Sequence, residues 1–190
     1  MPENKVLFGL KNAHYSVITE GEDGTHTYGA TVPIAGSVEL TLDPRGETSD
    51  FYADDVLYYT SSSNQGYEAT LTLATIPIEF KTDVLGETLH TVDQTLTENS
   101  FTKPKRIAFM FEFDGDQKAV RHVLYNCTVT RPSLGGATKT ETAEVRTNEL
   151  NLIAAPRSTD GVVKRSTTAD TPAGVYDVWF DTVYNPTPAV

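Results

Sequence analysis

From Ser37 to Asp43 apolar and polar residues alternate, with Val38, Leu40 and Leu42 on one side and Glu39, Thr41 and Asp43 on the other. Tyr67 to Thr75 repeats the pattern: Tyr67, Ala69, Leu71 and Leu73 face one way, Glu68, Thr70 and Thr72 the other. A period of two marks a strand with one face in a core and one in water. Arg106–Asp114 places Ile107, Phe109, Phe111 and Phe113 on one face, while Ala108 and Met110 on the reverse predict cover on both sides at its start. Asp114-Gly115-Asp116-Gln117 reads as a short hairpin loop. The return strand Lys118–Arg131 carries Ala119, Val123, Tyr125, Cys127 and Val129 on one face, interrupted by Arg121. Further strands are predicted near Lys5–Leu10, His14–Thr19, Thr27–Ile34, Val56–Thr60 and Thr142–Ala154.

Two stretches read as helix. Ile76–Leu85 has Pro77 near its first position, Gly86 as its stop, and Ile76, Phe80 and Val84 in a stripe four residues apart. The second lies around Ala173–Tyr184, where Val175, Val178, Trp179 and Val183 share a side. Three segments read as irregular: a long loop at Pro44–Asn64, and the stretches Glu87–Lys105 and Arg157–Pro172. The first is aromatic, with Phe51, Tyr52, Tyr58 and Tyr59, and long loops and exposed tyrosines both suit contact surfaces.

Composition strengthens the β reading. Threonine supplies 28 of the 190 residues, and it joins 9 Tyr and 8 Phe as a residue fitted to pleated surfaces. This length predicts one domain over residues 1–190. The formal charge of −11 and pI near 4.7 argue against a basic face for nucleic acid or anionic lipid. No run of eighteen apolar residues predicts a membrane span, and Met1-Pro2-Glu3-Asn4-Lys5 does not open a secretory signal. The single cysteine, Cys127, excludes an intrachain disulfide and suits a reducing compartment.

Candidate chemistry is sparse. Gly135-Gly136 is an isolated pair and no phosphate loop, and neither a nucleophile elbow nor a His-Glu-x-x-His helix occurs. His14, His26, His90 and His122 are scattered, and Cys127 alternates with apolar residues as a buried structural thiol does. Asp114-Gly115-Asp116 lacks the spaced ligands of an EF-hand, and Glu20, Glu22 and Asp23 around Gly21 and Gly24 read as a solvated hairpin tip. No catalytic constellation, cofactor motif or metal set emerges, so the expectation is a protein that is not an enzyme.

Phe111-Glu112-Phe113-Asp114-Gly115-Asp116-Gln117-Lys118, continuing through Arg121-His122-Val123-Leu124-Tyr125-Asn126-Cys127 to Thr130-Arg131-Pro132, resembles the signature of the major tail proteins of long-tailed bacteriophages, the phi13-type group. Phe8-Gly9-Leu10-Lys11-Asn12-Ala13-His14-Tyr15 is similar to that group's opening. So are Phe51-Tyr52-Ala53-Asp54, Asn64-Gln65-Gly66-Tyr67, the stretch from Ile76-Pro77 through Phe80 to Gly86, and the ending Val175-Tyr176-Asp177 with Trp179 and Val183-Tyr184. The resemblance spans nearly the whole chain, Leu89–Lys103 and Ser158–Thr171 excepted.

The resemblance implies a tail tube subunit: an antiparallel β-sandwich or barrel with one flanking α-helix, like contractile-tail tubes and the secretion-system protein Hcp. Its partners would be copies of itself in stacked hexameric rings, the tape measure protein, the tail terminator and the tail-tip proteins. DNA would pass through without specific binding, in a virion assembled in the bacterial cytoplasm. For such a tube, Glu39, Thr41, Glu68, Thr70 and Thr72 are candidates to face the channel, and Phe51, Tyr52, Tyr58 and Tyr59 to stack the rings. The polar strands serve equally as ordinary outer surface, and the tyrosines as cover for the subunit's own core. A soluble carbohydrate- or protein-binding β-sandwich is the alternative reading, and an enzyme a third.

Overall fold

The alternating segments form strands, and a computed structural model describes residues 3–136, 138 and 146–186. Strands take up 48% of the chain and helices 7%, which makes the protein mainly β. Strands β1 (Leu7–Glu20), β2 (His26–Pro33) and β3 (Ser37–Arg45) are followed by a hairpin, β4 (Thr48–Ala53) and β5 (Val56–Ser62), and then by β6 (Gly66–Leu73). Next come α1 (Ile78–Phe80), continued as a π-helical turn over Lys81–Leu85, and two short strands, β7 (Thr88–Leu89) and β8 (Leu96–Thr97). The remainder comprises β9 (Ile107–Gly115), β10 (Val120–Val129), β11 (Asn148–Ala154), β12 (Lys164–Ser166) and α2 (Ala173–Tyr176).

One antiparallel sheet runs in the order β2-β1-β9-β10-β11-β6-β3, with β12 added to β10. It folds over on itself. Tyr15 and Phe109 from β1 and β9 share one buried cluster with Leu71 and Leu150 from β6 and β11. Phe80, Val84 and Leu85 of the helical segment complete that cluster, and the Tyr15 hydroxyl donates to Asp83 at 3.1 Å. Gly86 ends the helix at φ +78°, the left-handed geometry glycine adopts without strain.

A second cluster explains why the start of β9 is buried on both faces. Ala108, Met110, Val123 and Tyr125 turn away from the first core and are covered by Trp179 and Val183. The helix expected over Ala173–Tyr184 is therefore mostly a strap: only Ala173–Tyr176 is helical, and turns follow it. The Thr31 hydroxyl captures the Phe180 carbonyl at 2.7 Å, satisfying it outside any helix.

Further sequence expectations need correction. Lys5–Leu10 and His14–Thr19 are parts of one strand, β1, whose register shifts between Lys11 and His14, where Asn12 takes φ +51°. Val38 does not join the core; a register shift between Ser37 and Glu39 leaves it exposed while Leu40 and Leu42 turn inward. The common face expected for Val123, Tyr125, Cys127 and Val129 is split by a register shift between Leu124 and Cys127. Val123 and Tyr125 enter the second cluster, Cys127 and Val129 the first. Finally, Pro44–Asn64 is no loop: the strand expected near Val56–Thr60 is β5, and it pairs with β4 in a hairpin. The segments over 87–105 and 157–172 likewise contain the short strands β7, β8 and β12. The Thr142–Val145 part of the strand expected over Thr142–Ala154 lies outside the described residues.

Candidate assembly surfaces

The polar sides of β3, β6 and β11 form one continuous face, because antiparallel partners point their side chains the same way. Glu39 lies opposite Thr72 and Thr41 opposite Thr70, while Asp43 lies opposite Glu68. Across the other edge of β6, Thr72 meets Glu149, Thr70 meets Asn151 and Glu68 meets Ile153. The structure thus brings Glu39, Thr41, Glu68, Thr70 and Thr72 together, and adds Asp43, Glu149 and Asn151. The Thr70 hydroxyl donates to Asn151 Oδ1 at 3.1 Å, a bond between the middle strands of the face.

This face is mainly acidic. Glu39, Asp43, Glu68 and Glu149 occupy its outward positions, and no lysine or arginine shares them until Arg45 at the end of β3. Asp43 and Glu68 are direct cross-strand partners, a like-charge placement that costs stability. Behind the face, Ala69, Leu71, Leu73, Leu150 and Leu152 are buried in the first core. β3 is also an edge of the sheet, so its outer backbone groups are open to pairing.

The second surface is the β4–β5 hairpin. It continues the β3–β6 ribbon beyond the body: Gln65 N donates to Arg45 O, and Ser63 N to Glu47 O, across the junction. Glycine is required there twice. A Cβ on Gly46 would overlap the Ser63 carbonyl, and Gly66, at φ +96°, presses against the Ala154 carbonyl. At the tip, Asp54 and Asp55 take φ +52° and +59°, the consecutive left-handed pair of a tight hairpin turn. Every residue of the two strands except Ala53 is exposed. Phe51, Tyr52, Tyr58 and Tyr59 are between 60% and 73% exposed, so they do not cover the subunit's own core. Phe51 and Tyr58 meet edge to face, with ring centres 6.4 Å apart. A lone two-stranded ribbon is marginal in water.

The remaining titratable candidates have structural surroundings. Cys127 is fully buried in the first core, and desolvation pushes its thiol up to about 12. His122 stacks on Phe111 at 5.0 Å, and burial, aided by Lys164, holds its imidazole down at about 4. His14 Nδ1 donates to the Asn12 carbonyl at 2.8 Å and its ring lies against Phe180, while His90 faces Asp93. His26 has both ring nitrogens buried without a partner among the described residues. Arg121, the charge that interrupts an apolar strand, meets the buried Glu112 at 3.0 Å and lies on the Tyr176 ring.

Of the residues that sequence reasoning passed over, Glu149 and Asn151 had a readable signal, since they alternate with Leu150 and Leu152. No protein-family model matches the chain, and no curated protein matches it at a significant level.

Proposed function

We propose that the protein is the structural subunit of a bacteriophage tail tube, polymerising as stacked hexameric rings around a channel for DNA. The observation that carries this reading is the β3–β6 ribbon, which joins a mainly acidic face to an aromatic arm whose side chains are exposed in the single chain. The family resemblance across the Phe111–Pro132 block supports it independently.

In this reading the face carrying Glu39, Thr41, Glu68, Thr70 and Thr72 lines the channel. A conduit must not bind what slides through it, whereas basic surfaces hold DNA by releasing its counterions. Six chains at −11 each carry a formal −66 per ring, and the carboxylates of this face place part of it towards the axis. Ring closure uses a head-to-tail contact between different patches. The open edges β2 and β3 suit it, since each presents unpaired backbone groups for the next subunit. Phe51, Tyr52, Tyr58 and Tyr59 stack successive rings. The tape measure protein, tail terminator and tail-tip proteins would be the further partners, and the virion the location.

Negative-stain micrographs of the purified chain at high concentration test the proposal. Rings or tubes are expected. Monodisperse monomers at every concentration would favour a soluble carbohydrate- or protein-binding β-sandwich instead.

A further inference from the structure

Residues 3–6, ahead of β1, are fastened to the turn between β9 and β10 by a side chain that imitates a strand. Asn4 Nδ2 donates to the Lys118 carbonyl at 2.6 Å, and Asn4 Oδ1 accepts from Gln117 N and Lys118 N at 3.0 Å each. A carboxamide carries the donor and acceptor of a peptide group, so Asn4 gives the turn what a further strand would give it. The main chain follows: Lys5 N donates to Asp116 Oδ1 at 2.8 Å, and Asp116 N to the Val6 carbonyl at 3.4 Å. Gly115 leaves the space, since a Cβ there would overlap the Asn4 carboxamide.

The C-terminal strap holds the same stretch of chain. Lys118 Nζ lies 3.9 Å from the centre of the Tyr176 ring and 3.5 Å from the Thr171 carbonyl. The Tyr176 hydroxyl donates at 3.0 Å to the carbonyl of the next residue, Ala119. Two clefts meet at Lys118, one of about 310 Å³ shared with Glu3 and Asn4, the other of about 450 Å³ shared with Thr171 and Tyr176. Lys118 is thus gripped twice, through its backbone by Asn4 and through its ammonium by the strap.

Further along, the strap closes the second core. Trp179, only 2% exposed, and Val183 lie over Ala108, Met110, Val123 and Tyr125.

We propose that Lys118 couples residues 3–6 to the strap, so that withdrawing Asn4 from the turn loosens the strap over the second core. With Asn4 in place, the N–H and C=O of Lys118 are fixed, which sets where its side chain starts and where the Ala119 carbonyl points. With Asn4 withdrawn, those groups turn to water, the turn frays, and Tyr176 loses the ammonium and the carbonyl that hold it. Each grip lowers the ordering cost of the other, which is a coupling between two segments through one residue. An event confined to residues 3–6, such as capture by a partner, is in this way felt at Trp179. The inference stands apart from the tail-tube reading.

Amide hydrogen exchange on the full chain tests it, because local opening is read segment by segment. Asn4→Ala should speed exchange across residues 173–184 about tenfold and leave β6 and β11 unchanged. Unchanged exchange in the strap would overturn the coupling. So would a uniform rise that includes β6, which is a loss of global stability.

Two further variants test reciprocity and route. Tyr176→Leu should speed exchange of the Lys5 and Asp116 amides by a similar factor, since coupling between two segments runs equally in both directions. Lys118→Met keeps the backbone grip of Asn4 and removes the ammonium. In that background Asn4→Ala should have a smaller effect on the strap. Protected Lys5 and Asp116 amides in Tyr176→Leu, or an undiminished strap response in Lys118→Met, would overturn the role of Lys118.

Discussion

Arg121 Nε donates to Glu112 at 3.0 Å, and the carboxylate it meets is almost fully buried. Asn12 donates to the other carboxylate oxygen at 2.7 Å, and the Arg121 guanidinium lies 3.9 Å from the Tyr176 ring centre and also donates to the Tyr176 carbonyl. One ion pair thus fastens β1, the β9–β10 hairpin and the C-terminal strap. Arg121→Met should destabilise the fold by about 3 kcal/mol in urea titrations, since it leaves a buried charge uncompensated. Adding Glu112→Gln should recover part of that loss. Trp179, the sole tryptophan, lies in the strap and provides the fluorescence signal; an unchanged unfolding midpoint would refute the role.

The aromatic hairpin makes the opposite prediction for stability. Tyr52→Ser, Tyr58→Ser and Tyr59→Ser together should leave the urea midpoint of the monomer nearly unchanged, within about 0.5 kcal/mol, because these side chains are already in water. Assembly should be lost, as judged by sedimentation. Normal tubes from the triple variant would remove the hairpin from the stacking contact.

The acidic face can be tested by reversing its charge. Glu39→Lys with Glu68→Lys should fold, and should gain about 0.5 kcal/mol, because the second change turns the like-charge pairing with Asp43 into an opposite-charge one. In an intact particle the same pair should slow DNA ejection, most strongly at low salt, where attraction to phosphate is least screened. Ejection at the normal rate under those conditions would place this face away from the channel.

His122 gives the fold a pH dependence. Its folded value near 4 lies below the ordinary 6.5, so between those values the unfolded chain binds a proton that the folded chain refuses. Stability should therefore fall as pH drops from about 6.5 towards 4, by about 2 kcal/mol once partial exposure is allowed for, and should show no His122 contribution above that window. His122→Phe, which keeps the stacking on Phe111, should flatten the profile. Equal slopes in the two proteins would assign the dependence to other groups.

What the chain reveals in advance depends on whether a strand has one wet face. β3 and β6 do, and their alternation gave both the elements and five residues of the polar face. β4 and β5 have none of that contrast: both faces are exposed, and their turn is Asp54-Asp55 with no glycine to mark it. Pattern therefore read only the Val56–Thr60 part as a strand and the rest of 44–64 as a loop, although the aromatics were visible as a contact signal. Register shifts were equally hidden. The one at Ser37–Glu39 expels Val38, and the one at Leu124–Cys127 moves Cys127 between cores, because both depend on the partner strand. The strap lost its helix to tertiary capture of the Phe180 carbonyl by Thr31, a contact 149 residues away in sequence.

The continuity of the β3–β6 ribbon with its hairpin has a mechanical consequence. A pull on the tip is transmitted along the strands and reaches the body through the seven residue pairs that join β6 to β11. The hydrogen bonds of an antiparallel ladder lie perpendicular to that direction. They are sheared together instead of being unzipped from one end, so the load is divided among them. Tension along the ribbon axis meets the protein in its stiffest direction, whereas a sideways force on the same hairpin would peel β3 from β6 one bond at a time.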